Sequence, residues 1–273
     1  MQNFNLHCHT SFENIFDGKN TAEEMISSYE KKGFKAVGIS NHCIYSKSFE
    51  YLKKSSVMNF SDLNKLIDLH KRCFEHIDKS ASKYKIKVLK GLETDFFTSK
   101  DWRNAFEKIL KELKPDYIIG STHFIRNEDE SFLCNLYYLD LLPSITQKEL
   151  DCLVKNYWNN IIESVKSGYF NFIAHPDYCC QFNLAVGKEW DDIKHKFIEV
   201  LSSNNMPCEV NTKGIRLKNT PCPSWNMIKE MIKKEIPLLI SDDAHRIEDI
   251  GAHFVEVEQK LVEYGCNKRY NFL

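Results

Sequence analysis

Histidines, acidic residues and one asparagine recur immediately after short apolar segments of this sequence, and side chains of these types can bind divalent metals. The residues in these positions are His7, His9, His42, Glu93, Asp95, His123, His175, Asp177, Asn211, Asp243 and His245. A single histidine is usually part of a core or a loop. Six histidines at comparable positions favour a polynuclear metal site. A ligand set that combines histidine with carboxylate suits Zn, Mn or Fe.

The apolar segments themselves are predicted to be seven buried strands. They span residues 4–6, 36–39, 88–92, 117–119, 170–174, 208–210 and 238–240. Segments with helical spacing lie between them, and two begin with capping boxes, at Thr21 with Glu24 and at Thr146 with Glu149. An unbroken strand–helix alternation predicts an α/β fold, a distorted (β/α)7 TIM-like barrel, as one domain over residues 1–273.

The barrel would bring the candidate ligands together, because parallel strands point their carboxyl ends at one face. His7 and His9 are expected to share a face, since side chains alternate along a strand, and Cys8 is expected to turn away and pack. Four histidines elsewhere are interpreted as structural: His70, His76, His195 and His253.

Two segments, 45–60 and 125–143, are longer and more aromatic than a simple strand–helix loop. We expect them to border the mouth of the site. Their aromatic side chains could enclose an imidazole-bearing substrate, but aromatic residues fill cores far more often, so none is assigned this role.

Charge and cysteine content restrict the surroundings in which the protein acts. The 37 Lys and Arg balance 38 Asp and Glu, so no positive field favours nucleic acid or an anionic membrane. The 10 cysteines form no C-x-x-C pair, and neither a signal peptide nor a membrane-spanning segment is recognised. We expect reduced thiols and a cytoplasmic location.

Seven motifs resemble, in order, those of the polymerase and histidinol phosphatase (PHP) superfamily. They are His7-Cys8-His9-Thr10, Ser40-Asn41-His42, Gly91-Leu92-Glu93, Gly120-Ser121-Thr122-His123-Phe124, Ala174-His175-Pro176-Asp177, Glu209-Val210-Asn211-Thr212 and Ser241-Asp242-Asp243-Ala244-His245. Residues 120–124 and 211–216 are most similar to the histidinol-phosphatase branch. The resemblance covers nearly the whole chain.

The resemblance implies two or three divalent metals. The first would be held by His7, His9, Glu93 and Asp243, the second by Glu93, His123 and His175, and the third by His42, His245 and a residue between His9 and Thr21. Asp17 is the leading candidate for that last ligand and Glu13 the alternative. Asp243 is taken as a ligand rather than Asp242, which is expected to point into the scaffold.

The activity implied is hydrolysis of a phosphate monoester, with L-histidinol phosphate giving L-histidinol and phosphate in histidine biosynthesis. A metal-bound hydroxide would attack phosphorus, and Glu93, His123 and Asp243 would form the catalytic centre.

Three arginines and one asparagine could bind the substrate. The guanidinium of Arg216 is expected to bind the phosphate through two parallel hydrogen bonds. Asn211 and Arg126 are further substrate-binding candidates, and Arg246 is a weaker one. The lysines, Lys213 and Lys218 included, are interpreted as solubilising.

Three alternatives remain open at this stage. One alternative is a phosphodiesterase or nuclease acting on short nucleotides, but this sequence has no basic tract that would support such a function. An amidohydrolase would commonly require a strand lysine or another histidine order where Glu93 stands. A barrel that binds metal only for stability would not need the full set of ligand types.

Overall fold

The computed structural model describes residues 2–48, 59–129, 131–141 and 145–272. The strands in these ranges are β1 (Phe4–Asn5), β2 (Ala36–Ile39), β3 (Ile44–Tyr45), β4 (Asn59–Phe60), β5 (Lys87–Asp95), β6 (Tyr117–Ser121), β7 (Phe124–Arg126), β8 (Leu133–Asn135), β9 (Phe172–Ile173), β10 (Cys208–Asn211) and β11 (Leu238–Ser241). The α-helices are α1 (Ala22–Lys31), α2 (Leu63–Ala81), α3 (Lys100–Leu113), α4 (Gln147–Ser167), α5 (Asp191–Ser203), α6 (Lys213–Lys218), α7 (Trp225–Lys233) and α8 (Phe254–Glu263).

Seven of the strands form one parallel sheet in the order β1-β2-β5-β6-β9-β10-β11. The first and last strands approach each other, because Cys8 bridges Ala244 and the side chain of Gln2 bonds both the N–H and the C=O of Ile240. The sheet is therefore a nearly closed barrel, which confirms the predicted (β/α)7 architecture. Each of the seven predicted strand segments overlaps one of these strands.

The barrel interior is filled by side chains from most of its strands. Tyr117 is fully buried there, stacks on Phe172 and donates its hydroxyl to the Leu6 carbonyl at 2.6 Å. Gly91 on the adjacent strand β5 and Gly38 on β2 leave the space that the Tyr117 ring occupies, since a Cβ at either position would clash with it. A larger apolar layer lies between the sheet and the surrounding helices.

The helix starts follow the sequence signals. Thr21 with Glu24 and Thr146 with Glu149 both form complete capping boxes, which satisfy exposed N–H groups at the starts of α1 and α4. Over the described ranges, no helix combines the length and the apolar character needed to cross a membrane. The ten cysteines are all free thiols, as expected.

The two long segments differ from simple loops. In the second, β7 and β8 form an antiparallel hairpin, and residues Leu136–Leu141 continue it as a 3-10 helix. In the first, β3 pairs with β4 in parallel, while residues 49–58 lie outside the described part of the chain. The same holds for residues 130 and 142–144 of the second segment.

Candidate metal centre

The predicted ligands come together at the carboxyl end of the barrel. They follow, or lie near the end of, six different strands (β1, β2, β5, β6, β9 and β11), and Asp17 joins them from the loop before α1. Asp243 turns into the site directly after β11 with a positive φ of 46°. Most of the candidate ligand side chains are buried, so their charges lie in a low-dielectric environment where partners are required.

Glu93 lies at the middle of this cluster, and its two carboxylate oxygens face different sets of histidines. Oε1 lies 2.9 Å from Nε2 of His175 and 3.4 Å from Nε2 of His123. Oε2 lies within 3.3 Å of nitrogens on three other histidines, His7, His9 and His42. This is the arrangement a bridging carboxylate requires.

The charge state of Glu93 suits that arrangement. Burial alone would raise the pKa of this carboxyl, but the neighbouring histidines, led by His42, hold it well below its usual range. Glu93 is therefore ionised.

Asp17 completes a second group with histidines. Its Oδ2 lies 3.0 Å from Nε2 of His245 and 3.7 Å from Nε2 of His42, and its Oδ1 lies 3.9 Å from Nδ1 of His9. Glu13 instead forms a two-pronged pair with Arg72 at the surface, at 2.8 and 2.7 Å. Of the two alternatives for the third site, the geometry favours Asp17.

Asp243 and Asp242 point in different directions. Oδ1 of Asp243 lies 3.4 Å from Nε2 of His9, inside the cluster. Asp242 accepts hydrogen bonds from the Asn5 amide at 3.0 Å, the Tyr29 hydroxyl at 2.8 Å and the Gly251 N–H at 2.9 Å. Asp242 therefore belongs to the scaffold, as the sequence predicted.

The donor atoms of the cluster fit divalent cations. Each of four groups offers ligand atoms within 4.8 Å of one another: His9 with Asp17, His42 and His245; His7 with His9 and Asp243; His42 with Glu93 and His123; and His7 with His175 and Glu209. Several of these buried atoms have no hydrogen-bond partner among the described residues, including Nε2 of His7, both nitrogens of His9 and Oε2 of Glu93. Buried polar atoms are normally paired, so this convergence of unpaired donors indicates cation binding.

His9 illustrates the charge state that ligation needs. Burial, followed by the neighbouring His245 and His42, lowers the pKa of His9 to about 3. The imidazole is thus neutral and has a lone pair to offer a metal.

Two acidic residues that were not assigned to any of the three metals, Glu209 and Asp95, orient the histidines. Oε1 of Glu209 lies 2.7 Å from Nδ1 of His7, and Oε2 of Glu209 accepts the backbone N–H of His175 at 3.0 Å. Asp95 lies 2.8 Å from Nδ1 of His123. Such contacts fix the tautomer and ring direction of a metal-binding histidine. A carboxylate within the buried strand β10 was the available sequence signal for Glu209.

Lys213 was interpreted as solubilising, and this was wrong. Its side chain is 28% exposed, and its Nζ lies 3.2 Å from Oδ1 of Asp243 and 3.5 Å from Nδ1 of His245. Burial would lower the pKa of the ammonium, but Asp243, Asp17 and Glu93 outweigh burial and raise it. The side chain is therefore a cation at the edge of the cluster, whereas Lys218 is exposed as expected.

Arg216 makes contacts other than the predicted phosphate-facing ones. Its Nη1 donates to the Asp242 carbonyl at 2.9 Å, and its Nε lies 3.5 Å from Oδ1 of Asp249. Both partners belong to the segment that follows β11. The structure thus places the guanidinium against the loop that carries Asp243 and His245.

The other predicted substrate-binding arginines are also engaged elsewhere. Arg126 is buried, donates to the Phe96 carbonyl at 2.7 Å and to Oδ1 of Asn160, and lies 4.1 Å from the centre of the Phe97 ring. These contacts tie it to the packing between β5 and α4. Arg246 is exposed and pairs with Asp249 at 3.6 Å.

Asn211 supports the site from within β10. Its side-chain amide donates to Asp243 at 3.1 Å and to Glu209 at 3.2 Å. These contacts place Asn211 at the site, where it holds acidic residues in position.

An aromatic row leads from the histidines towards the solvent. The Tyr178 ring lies 5.4 Å from that of His123 and 5.2 Å from that of His175. Phe182 packs on Tyr178 at 5.3 Å, and Tyr137, 75% exposed, packs on Phe182 at 6.2 Å. Tyr137 belongs to the segment expected to border the mouth.

The residues interpreted as structural lie outside the metal-binding groups. Cys8 is fully buried and directs its thiol at the Gly38 carbonyl. Nε2 of His70 lies 3.2 Å from the His42 carbonyl, within the core face of α2. The remaining three, His76, His195 and His253, contact Phe12, Glu230 and Glu256 respectively.

Comparisons with known proteins agree with this geometry. The PHP domain family matches residues 5–213. A Deinococcus radiodurans relative is 22% identical over 184 residues, or 66% of each chain. The histidinol-phosphatase of Bacillus subtilis is 23% identical over 275 residues, covering 92% of this chain and 96% of that protein.

One solved structure has the same fold over almost its full length. It is the histidinol phosphate phosphatase of Lactococcus lactis, crystallised with zinc, L-histidinol and phosphate. Its TM-score is 0.67 at 14% identity, and the match covers 98% of this chain and 95% of that one.

Proposed function

Because the chain belongs to the PHP domain family, we propose that it is a metal-dependent phosphate monoester hydrolase whose substrate is L-histidinol phosphate. The products are L-histidinol and inorganic phosphate. The relatives named above as histidinol phosphatases support this choice of substrate. Two or three ions of Zn, Mn or Fe are the proposed cofactors, since histidine and carboxylate ligands suit these metals.

The observation that carries the proposal is the position of Glu93 between the two sets of histidines. Its oxygens face His123 and His175 on one side and His7, His9 and His42 on the other. Clustered divalent cations supply the charge that stabilises phosphoryl oxygens and activate water as a nucleophile. Glu93, His123 and Asp243 are the proposed catalytic residues through their part in this centre.

The protein's own residues prepare the site for that chemistry. Glu209 and Asp95 orient His7 and His123 through their Nδ1 atoms, so that Nε2 of each ring faces Glu93. Asn211 holds Asp243. The positions of the ligands are therefore set before substrate arrives, which is the condition for electrostatic stabilisation without reorganisation.

The aromatic row formed by Tyr178, Phe182 and Tyr137 supports a substrate that carries a planar ring. It begins beside His123 and His175 and extends outward, so a phosphate at the cluster would leave the imidazole of histidinol near these faces. Aromatic faces bind planar rings by stacking.

Phosphodiester hydrolysis of short nucleotides is the runner-up, because the same metal chemistry cleaves either bond. The near-neutral charge, 37 basic against 38 acidic residues, gives little support to a polyanionic substrate. An amidohydrolase is less well supported, since a glutamate stands where that class commonly has lysine or a different histidine order.

A phosphate-release screen over phosphorylated metabolites tests the proposal. Purified protein is stripped of metal, reloaded separately with Zn, Mn or Fe, and supplied with L-histidinol phosphate, other phosphate monoesters and a dinucleotide. We expect the highest kcat/KM with L-histidinol phosphate and no turnover by the stripped protein. Preferential cleavage of the dinucleotide would favour the runner-up, and absence of turnover by every reloaded form would contradict an enzymatic role.

A further inference from the structure

Lys213 is held at the metal centre by the same network that holds the ligands. It opens α6 directly after β10, and its backbone N–H donates to Oδ1 of Asn211 at 2.9 Å. The amide of Asn211 in turn donates to Glu209 and Asp243. The start of α6 is therefore fixed relative to the carboxylates of the site.

The side chain of Lys213 extends towards the cluster. Its Nζ lies 3.2 Å from Asp243 and 3.5 Å from Nδ1 of His245. A lysine ammonium is a donor only and cannot ligate a metal while charged. It therefore lies beside the ligands without being one.

Cation binding would change the partners of this ammonium. With metals bound, the carboxylate of Asp243 and the imidazole of His245 would act as metal ligands and would be less available to Lys213. The half-buried ammonium of Lys213 would then lie close to positively charged metal ions. Like charges in a low-dielectric site repel each other unless an anion lies between them. A phosphate group bound to the metals is an anion suited to that place.

We propose that Nζ of Lys213 binds the phosphate group of the substrate, a role that rests on the proposed function. Arg216, the phosphate ligand expected from the sequence, contacts the loop after β11 through the Asp242 carbonyl and Asp249. Lysine is an effective phosphate ligand as a compact point charge.

Binding of inorganic phosphate to metal-loaded protein provides the test. Calorimetry and metal analysis are applied to wild type, Lys213→Met, Lys213→Arg and the control Lys218→Met, which removes an exposed lysine from the same helix. We expect Lys213→Met to weaken phosphate binding about 10-fold or more at unchanged metal content. Lys213→Arg should retain part of the affinity because it keeps the charge, and Lys218→Met should bind as wild type does.

Two results would overturn the inference. One is unchanged phosphate affinity in a folded, metal-loaded Lys213→Met variant. The other is a loss of phosphate binding that follows a loss of metal, because Lys213 would then act on the metal site.

The same experiment separates this inference from the proposed function. If wild type hydrolyses L-histidinol phosphate but phosphate affinity does not depend on Lys213, the inference fails and the function stands. If phosphate binding depends on Lys213 but no monoester is hydrolysed, the function fails and the phosphate site stands.

Discussion

Nδ1 of His7 lies 2.7 Å from Oε1 of Glu209, and both side chains are completely buried. With Nδ1 engaged by the carboxylate, Nε2 of His7 is left to face Glu93 at 3.3 Å. The pair therefore determines which ring nitrogen is offered to a metal.

Replacement of Glu209 by glutamine should weaken metal binding. The amide keeps the shape but loses the charge that orients His7, so we expect a loss of about 10- to 100-fold in metal affinity. Chelator competition measures this affinity directly. Glu230→Gln, which alters a surface partner of His195, is the matched control and should bind metal normally. Equal metal affinity in both variants would show that Glu209 does not orient His7 for metal binding.

Replacement of Glu93 by glutamine should abolish most of the activity. Glutamine cannot supply two anionic oxygens to bridge cations, so kcat should fall by about 100-fold or more. Steady-state kinetics at saturating metal, together with metal analysis, makes the comparison. A Glu93→Gln variant with wild-type kcat would show that the centre lies elsewhere.

Asp17 and Glu13 should behave differently despite being four residues apart. Asp17 lies against His42 and His245, whereas Glu13 pairs with Arg72 at the surface. Asp17→Asn should therefore lose about one metal ion per chain, and Glu13→Gln should lose none. Elemental analysis after dialysis checks both. Loss of metal from Glu13→Gln alone would reverse the assignment of the third site.

The buried His70 should make stability depend on pH. Burial is the largest cause that lowers its pKa to about 4, whereas an unfolded histidine has a pKa of about 6.5. Between these values the unfolded chain binds a proton that the folded chain does not, so the free energy of unfolding falls as the pH falls. The expected loss is up to about 3 kcal/mol.

Urea unfolding at about pH 7 and about pH 5 measures this contribution when wild type is compared with His70→Gln. Other groups titrate in both proteins, so only the difference between them reports on His70. The variant should lose less stability on acidification than wild type does. An identical pH dependence would show that His70 is not held neutral in the folded state.

The aromatic row should affect substrates that carry a ring. Tyr137→Ala removes its exposed end, and we expect KM for L-histidinol phosphate to rise about 5-fold while KM for glycerol phosphate changes little. Val255→Ala, an exposed apolar residue on α8, is the control. Equal increases for both substrates would argue against ring recognition.

The sequence by itself determined the barrel and most of the candidate cluster. Short apolar segments alternating with amphipathic ones predict a parallel sheet, and parallel strands necessarily end at one face. His7, His42, Glu93 and His175 could therefore be assigned to one site from their positions after strands, without knowledge of any distance.

Only the tertiary structure decided the roles of residues whose direction depends on distant partners. Arg72 draws Glu13 to the surface, Asp249 holds Arg216, and Asn211 fixes the start of α6 so that Lys213 reaches Asp243. Strand residues have their direction set locally by the alternation of the backbone. Long side chains on loops and short helices have several rotatable bonds, so contacts with other elements choose among their conformations.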